Sequence, residues 1–312
     1  MKLRLTRAAV LFAVLALVAA ACGGGEEPSG GGTQGGGAKG VCASVDQSTG
    51  DLLAQVCKNG QIRVSTDPAY PPQSSLNPKT GQYEGFDIDV AKTIADRLGV
   101  GGDNIQWETP KWEVLTAGGW NDRWDMSVGS MTPTNDRQEV LDFTEPYSFV
   151  PAVVVVHKDN TTINDVSTDL DGKTIGVCAD CTYQFFLEKS LAIKGFNFDF
   201  VIDDAKVQTY DTDTTALQDL ALGDGVRLDA VMTSVTTAQG FIDAGNPVKI
   251  VGEPLFGEPL AVAFDKSSQL DDTSLVDAVD KIVADMHSDG TLTDLSKKWY
   301  NGIDVTTVTG SA

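Results

Sequence analysis

The sequence predicts an α/β fold of two lobes, each a central sheet flanked by helices, joined by a hinge of two strands. Its 312 residues are enough for two domains of the usual size, about 100 to 200 residues each. From residue 61 onward, short β-rich runs alternate with segments of helical periodicity, which is typical of open sheets covered by helices. The last two predicted helices follow a strand, so we expect the chain to return to the lobe in which it began.

The individual elements follow from local patterns. Ile62–Ser65 is predicted to form a strand, and Phe86–Leu98 a helix that has Asp87 near its start and ends at Gly99. The apolar face of this helix comprises Ile88, Ala91, Ile94, Ala95 and Leu98. Further strands are predicted at residues 104–107, 125–128, 152–156, 174–177, 198–202, 229–232, 248–251 and 260–264. The two closing helices are predicted at residues 273–287 and 292–299.

Two of these strands are predicted to carry the chain between the lobes. Two lobes connected by two crossing strands make a hinge, and the segments 151–156 and 259–264 are the candidates. This prediction assigns residues 41–151 to the first part of lobe 1 and residues 152–259 to lobe 2. Residues 260–312 then form the return to lobe 1 with the C-terminal helices.

The N-terminus has the pattern of an export signal. Three basic residues, Lys2, Arg4 and Arg7, precede an apolar run at 11–18 and the small residues at 19–21. A membrane-spanning helix needs about 20 apolar residues, and this run is shorter. Residues 1–21 are therefore predicted to be a signal peptide, and the alternative is an uncleaved anchor.

Cys22 follows the small residues directly and resembles the lipobox cysteine of bacterial lipoproteins, with Ala19 where a Leu commonly stands. The resemblance implies that Cys22 becomes a lipidated N-terminus on the outer face of the cytoplasmic membrane, in the periplasm or at the cell surface. Residues 22–40 are rich in Gly and poor in apolar side chains, so they are predicted to form a flexible tether.

The other four cysteines, Cys42, Cys57, Cys178 and Cys181, suit two disulfide bonds in an exported protein. Pairing neighbours gives Cys42 with Cys57 and Cys178 with Cys181. A zinc site is the alternative, but the Cys178-x-x-Cys181 motif has neither a second such motif nor paired histidines. A redox role is also open, because Cys178 follows a predicted strand, although the rest of a thioredoxin-like pattern is missing.

The charge of the chain argues against nucleic acid as a partner. The formal net charge is −21, and removal of three basic residues with the signal peptide makes it about −24. Contacts with phosphates need clustered Lys and Arg, and no basic stripe follows residue 22.

Five different motifs follow one another along the chain. They are Thr66-Asp67-Pro68-Ala69-Tyr70-Pro71-Pro72, Gly85-Phe86-Asp87-Ile88-Asp89-Val90-Ala91, Trp124-Asp125, Gly129-Ser130-Met131-Thr132-Pro133-Thr134-Asn135-Asp136-Arg137 and Asp142-Phe143-Thr144-Glu145-Pro146-Tyr147. Together they resemble the polar amino acid binding proteins of bacterial ABC importers, from about residue 61 to Trp299-Tyr300. The resemblance implies the type II periplasmic binding protein fold and a monomer that delivers an amino acid or a similar solute to an ABC permease.

The resemblance also assigns residues to the cleft between the lobes. It implies that Arg137 binds the carboxylate of the solute, with help from Ser130, Thr132 and, from lobe 2, Thr182. A guanidinium meets a carboxylate with two parallel hydrogen bonds, and hydroxyls can satisfy the remaining lone pairs. A disulfide between Cys178 and its neighbour would stiffen the loop that presents Thr182.

Two aromatic positions and one acid complete the implied site. Tyr70 and Trp112 match the positions that sandwich the side chain of the solute, and Asp67 faces its distal group. Aromatic faces also attract cations, so the pair could hold a positively charged group.

One position departs from the family. Ser234 stands where the family offers an Asp to the ammonium group of the solute, and a hydroxyl cannot supply that charge, a loss on the order of 1 to 3 kcal/mol. Either another acid such as Glu258 or Asp67 takes over, or the solute carries a substituted or displaced nitrogen, as in a betaine, an opine or an ectoine-like solute.

Other functions remain alternatives. The same fold serves periplasmic dehydratases, whose chemistry needs an acid in the cleft, and Asp67, Glu113 or Glu258 could serve. We expect no enzyme, because no Ser, His or Cys triad can be assembled. A sensory domain would need a transmembrane helix downstream, and none precedes the end of the sequence. No metal or other cofactor is expected, and the Asp211-x-Asp213 pair is predicted to cap a helix beginning near Thr214.

Overall fold

The computed structural model describes residues 40–307, and most of its strands belong to one main sheet. The strands are β1 (Ile62–Ser65), β2 (Ala69–Tyr70), β3 (Ser74–Leu76), β4 (Tyr83–Glu84), β5 (Ile105–Glu108), β6 (Met126–Met131), β7 (Leu141–Phe143), β8 (Ser148–His157), β9 (Thr174–Cys178), β10 (Lys206–Tyr210), β11 (Ala230–Ser234) and β12 (Val248–Asp265). The nine strands of this sheet follow the order β10-β9-β11-β8-β12-β6-β1-β5, with β7 paired to β12, while β2, β3 and β4 form a separate small sheet.

The helices cover both faces of the main sheet. They are α1 (Leu52–Asn59), α2 (Phe86–Leu98), α3 (Trp112–Thr116), α4 (Asn135–Val140), α5 (Thr182–Leu187), α6 (Asp213–Leu220), α7 (Val235–Asp243), α8 (Thr273–Ser288) and α9 (Thr291–Trp299). Helix α2 has the predicted bounds and buries its predicted apolar face, and Gly99 ends it in the left-handed conformation with φ 95°. Between residues 40 and 307, no helix combines the length and the apolar character needed to cross a membrane.

The long strands β8 and β12 connect the two lobes. They pair antiparallel from Val248 opposite His157 to Leu260 opposite Ser148. Beyond this point β12 pairs with β6 and β7, so its two ends belong to different parts of the sheet. We call the part with β1, β5, β6 and β7 lobe 1, and the part with β9, β10 and β11 lobe 2. The boundaries at 151/152 and 259/260 fall inside β8 and β12 and stay predictions.

Each lobe has an apolar core on both faces of its strands. In lobe 1, helices α2, α8 and α9 pack on one face, and Trp120 and Trp124 pack against Met131 on the other. In lobe 2, one cluster gathers around α5 and Phe186, and a second gathers around α6 and α7. Burial of apolar surface, the main favourable term in folding, therefore holds helices against both sides of the shared sheet.

Three predictions about strands need correction. The segment 198–202 is not a strand, although the alternation of Phe198 and Phe200 resembles one. The two rings pack on each other, and Phe198 also packs on Phe256, but the segment pairs with no neighbouring strand. The edge of lobe 2 is instead formed by β10, which pairs with β9 in parallel and was not predicted. The predicted strands at 248–251 and 260–264 are two ends of the single strand β12.

Both expected disulfide bonds are present. Cys42 pairs with Cys57 and ties a short 3-10 turn to α1, while Cys178 pairs with Cys181 between the end of β9 and the start of α5. The predicted signal peptide and lipid anchor Cys22 lie outside the described residues, as does the tether except for its last residue.

Candidate functional site

A cavity of about 70 Å³ lies between the lobes. A single buried water needs about 10 to 15 Å³ by this measure, so the cavity has room for several solute atoms. Its lining includes all eight residues that the sequence assigned to a cleft: Asp67, Tyr70, Trp112, Ser130, Thr132, Arg137, Thr182 and Ser234. It also includes Glu258, which the sequence offered as a substitute acid for the ammonium group, and polar residues that the sequence did not assign to ligand binding, among them Gln73, Asp87, Tyr183 and Asp213.

Arg137 is fixed from both lobes. It lies in α4, which Thr134 caps, and only 5% of its surface is exposed. Its Nη1 donates to the carbonyl oxygen of Thr132 and its Nη2 to that of Asp180, each at 2.9 Å. Burial lowers the pKa of Arg137 to about 10, against the opposing effect of Glu258. The guanidinium therefore stays charged at neutral pH and keeps further N–H groups for a solute.

Trp112 reaches the same region from α3. The guanidinium carbon of Arg137 lies 4.9 Å from the centre of the Trp112 ring, within the range of cation–π attraction. The indole N–H of Trp112 donates to the carbonyl oxygen of Asp180 in lobe 2 at 3.1 Å. This ring thus supports Arg137 and also contacts the opposite lobe.

Ser130 is held next to a buried acid. It lies near the end of β6 and has the left-handed conformation, with φ 54°, and its hydroxyl donates to Asp87 at 2.7 Å. The Tyr147 hydroxyl donates to the other oxygen of Asp87 at 3.0 Å and accepts from the backbone N–H of Ser130. Burial raises the pKa of Asp87 to about 6, although both hydroxyls oppose the shift. The sequence placed Asp87 only at the start of a helix and gave it no part in the site.

Glu258 lines the cavity from β12, one of the two strands that connect the lobes. It is 4% exposed, and its two carboxylate oxygens accept hydrogen bonds from the hydroxyls of Thr182 and Tyr183. Burial raises the pKa of Glu258 to about 7, against hydrogen bonds from those hydroxyls and the charge of Arg137. Thr182 therefore lies in the cavity as expected, with its hydroxyl directed at an acid.

Ser234 is both a cavity residue and a helix cap. Its hydroxyl accepts from the backbone N–H of Thr237 at the start of α7, an arrangement that satisfies a free N–H of the first turn. From lobe 1, Gln73 Nε2 donates to Ser234, Thr236 and Thr237 at 3.3, 2.6 and 3.0 Å. No sequence pattern pointed to Gln73, because a single amide in a loop carries no local signal.

Asp213 and Tyr70 both line the cavity, and the charge of Asp213 affects the phenol of Tyr70. Asp213 is 3% exposed, and burial raises its pKa to about 7, with the charge of Glu258 adding to the shift. Burial also raises the pKa of Tyr70 well above its usual value, and the charges of Asp213 and Asp67 contribute. The helix cap predicted from this segment is wrong in detail, since Thr212 caps α6 and leaves Asp213 free for the cavity.

The lobes touch at several points around the cavity. Besides the bonds to Asp180 and from Gln73, the backbone N–H of Asn135 donates to the carbonyl oxygen of Ala192 at 2.9 Å. On the rim, Gly240 of α7 lies so near Pro72 that an added Cβ would come within 2.9 Å of the proline Cδ. These contacts describe a closed arrangement.

The disulfide forms one wall of the cavity. The sulfur atoms of Cys178 and Cys181 and a carboxylate oxygen of Asp213 lie within 4.8 Å of one another. The two sulfurs are bonded to each other, so neither can act as a thiolate ligand for a metal.

Known proteins resemble this chain over most of its length. Residues 62–302 match the profile of the bacterial extracellular solute-binding proteins, family 3. The L-cystine-binding protein TcyJ of Escherichia coli is 30% identical over 256 residues, which cover 82% of this chain and 88% of the relative. An L-arginine-binding protein of Pseudomonas aeruginosa is 29% identical over 77% of this chain and 88% of its own length.

Solved structures agree with these relatives. A mutant of ArgBP from T. maritima matches with a TM-score of 0.66 and 27% identity, over 80% of this chain and 99% of its own. The ancestral amino acid-binding protein AncCDT-1, a precursor of cyclohexadienyl dehydratase, matches with a TM-score of 0.65 and 28% identity over the same shares. The two-lobed α/β fold of the type II periplasmic binding proteins, predicted from the sequence, is confirmed.

Proposed function

This chain belongs to the bacterial extracellular solute-binding proteins, family 3, and we propose that it binds an amino acid or a close relative in its cavity for delivery to an ABC permease. The relatives named for cystine and arginine support this choice of solute. The observation that carries the proposal is the position of Arg137, buried, charged and fixed by carbonyl oxygens of both lobes beside a cavity rich in acids. Such a cavity complements a zwitterion, which carries one anionic and one cationic group.

Arg137 receives the carboxylate of the solute in this proposal. Its guanidinium donates once through Nη1 and once through Nη2 to residues between 40 and 307, and a guanidinium has five N–H groups. Ser130 and Thr132 lie on the lobe 1 side of the same cavity, and Thr182 and Ser234 lie on the lobe 2 side. Their hydroxyls supply further polar contacts to the solute.

Trp112, Tyr70 and Asp67 enclose the side chain of the solute. The three residues line the cavity from lobe 1, and burial raises the pKa of Asp67. A flat or positively charged solute side chain suits two aromatic rings beside an acid.

Closing of the lobes couples binding to transport. The solute contacts lobe 1 first, and lobe 2 then moves about β8 and β12 until the contacts of Asp180 and Gln73 form. A solute that touches both lobes binds the closed state more tightly and shifts the population toward it. The permease recognises this closed state.

The protein acts as a monomer at the membrane surface. We infer that residues 1–21 are removed on export and that Cys22 carries the lipid anchor on the outer face of the cytoplasmic membrane. The Gly-rich segment 22–40 then gives the lobes freedom to reach the permease.

An enzyme of the dehydratase type is the second candidate, favoured by one observation. Glu258 lies buried in the cavity with a pKa near 7, which suits a general acid. We infer binding without catalysis, because the hydroxyls of Thr182 and Tyr183 already occupy the Glu258 carboxylate. Incubation of the protein with a cyclohexadienyl acid and detection of the aromatic dehydration product would establish the enzyme instead.

A thermal-shift screen tests the proposal. The protein is screened against the twenty amino acids, cystine, betaines, opines, ectoine-like solutes and polyamines, since a solute that binds only the folded state raises the melting temperature. A shift with an α-amino acid supports the proposal. Shifts only with quaternary or derivatised solutes would mean that such a solute, and not an amino acid, is the ligand. The absence of any shift would contradict the proposal.

A further inference from the structure

We propose that Asp213, together with Glu258, binds the cationic nitrogen of the solute, the task that an Asp at the position of Ser234 has in proteins of this family. The inference rests on the proposed function and names the group that completes its site. It adds Asp213, a residue of lobe 2 that the sequence marks only as part of a predicted helix cap, to the specificity-determining residues of the cavity.

The geometry of Asp213 leaves one acceptor for a ligand. Thr233 donates its hydroxyl to Asp213 Oδ2 at 2.7 Å, which fixes the orientation of the carboxylate. The other oxygen, Oδ1, is buried and accepts no hydrogen bond of normal geometry between residues 40 and 307, although the backbone N–H of Cys178 lies near enough to the carboxyl to lower its pKa. A buried acceptor without a partner is costly to folding, so its presence beside a cavity indicates that a donor from the solute reaches it.

The charge of Glu258 acts on both Asp213 and Arg137. The Glu258 charge raises the pKa of Asp213 on one side, and on the other side it opposes the lowering of the Arg137 pKa. A solute with adjacent carboxylate and ammonium groups fits this order of charges. Its carboxylate meets Arg137, and its ammonium group meets Glu258 and Asp213.

The surroundings of Asp213 favour a cation from the solute over a metal ion. The neighbouring sulfurs of Cys178 and Cys181 are joined to each other, so they give no thiolate. The other groups that feel its charge are the phenols of Tyr70 in β2 and Tyr183 in α5. A nitrogen with several N–H donors can reach an acid and still leave these aromatic rings in contact with the rest of the solute.

Protons must leave when the cation arrives. Burial raises the pKa values of Asp213 and Glu258 to about 7 in the absence of solute, and the charge of Glu258 adds to the shift of Asp213. A cation favours the ionised carboxylates, so binding lowers both pKa values and releases protons near neutral pH. Affinity should therefore rise between about pH 6 and pH 8.

The substitution Asp213→Asn tests the inference. It keeps the oxygen that accepts from Thr233 and removes only the charge. Calorimetry with L-arginine, L-histidine and L-cystine should show that the variant binds the best of these probes at least about tenfold more weakly. Asp211→Asn is the matched control, because Asp211 is exposed, lies two residues earlier and does not line the cavity. It should leave affinity unchanged.

A second variant separates charge from structure. If the defect of Asp213→Asn is the lost charge, adding Ser234→Asp should restore most of the affinity, since that change returns a carboxylate to lobe 2. Unchanged affinity in Asp213→Asn would overturn the inference while leaving the proposed function intact. Binding of none of the probes by the unaltered protein, with no shift for any amino acid in the screen, would overturn both.

A measurement on the unaltered protein guards against a variant that does not fold. Titrations near pH 7 in two buffers of different ionisation enthalpy give the number of protons released on binding of the best probe. Release of protons supports the inference, and binding without release overturns it.

Discussion

Arg137 and Trp112 share an acceptor across the cleft, since both donate to the carbonyl oxygen of Asp180 while the guanidinium lies over the indole ring. Both donors belong to lobe 1 and the acceptor belongs to lobe 2. The residue that we assign to the solute carboxylate is therefore also part of the contact that closes the lobes. Removing it should weaken binding through both roles.

Arg137→Ala should weaken binding of the amino acid by at least about 1.5 kcal/mol, which is roughly a tenfold rise in Kd. The charged hydrogen bonds to the carboxylate and the bond to Asp180 disappear together. Calorimetry measures the change, and Arg137→Lys tests the need for a planar donor pair, because a lysine keeps the charge without the fork. Equal affinity of Arg137→Ala and the unaltered protein would contradict the assignment.

Ser234→Asp should tighten binding of ordinary α-amino acids. An Asp can keep the cap of α7, because its side chain also accepts from the backbone N–H of Thr237, so the melting temperature should change little. The added carboxylate gives the ammonium group a further partner in lobe 2. Ser234→Ala serves as the comparison and should cost about 1 kcal/mol of stability through loss of the cap. No change or a loss of affinity in Ser234→Asp would count against placing the ammonium group here.

Asp87→Asn should reduce the dependence of stability on acidity. The pKa of Asp87 is raised from 3.8 to about 6, so the folded state keeps its proton where the unfolded state loses it. The stabilising contribution of this group is complete below about pH 4, falls as the pH rises toward 6, and is absent above. Between about pH 4 and pH 7, the unaltered protein should lose up to about 3 kcal/mol more unfolding free energy than the variant loses.

Urea unfolding at both ends of that pH range measures this effect. The comparison concerns only the difference between the two proteins, so titration of other groups cancels if they do not contact Asp87. Identical pH profiles for the two proteins would show that the pKa of Asp87 is the same in the folded and unfolded states.

The two disulfide bonds should have different consequences when they are removed. Cys42 and Cys57 close a loop of 15 residues outside the cavity, so replacing both by Ser should lower the unfolding free energy by about 3 kcal/mol and leave affinity intact. Cys178 and Cys181 are three residues apart and line the cavity. Replacing them should cost less stability and should weaken binding, because the loop before Thr182 loses its constraint. Denaturation measures the unfolding free energy of both double variants, and calorimetry measures their affinity. Weaker binding in the Cys42/Cys57 variant but not in the Cys178/Cys181 variant would contradict the prediction.

Much of the architecture could be read from local patterns. Helix α2 and strand β1 have their predicted bounds because apolar periodicity and a terminal glycine are local signals. The strand predicted at 198–202 failed because alternating aromatic residues satisfy the same pattern when they pack as an irregular segment. Strand β10 was missed because its residues are mostly exposed or half-buried at a sheet edge, where apolar alternation is weak.

The cavity was predicted only where a motif marks it. Arg137 and Ser130 belong to a run of residues with a recognisable order, and the structure places both in the lining. Gln73 and Asp213 have no such order around them, and their place in the cavity depends on how α7 and α6 face the opposite lobe. Contacts of that kind join residues distant in sequence, and a single sequence does not reveal them.

Gly240 lies where any larger residue would interfere with closing of the lobes. Its hydrogen faces Pro72 across the rim, and a single methyl group there would stand 2.9 Å from the ring carbon Cδ. Any side chain at this position must push the rims apart or displace the proline. A one-atom change would therefore supply an open-state reference, against which a fluorescent label on the rim could be calibrated as an optical sensor of the solute.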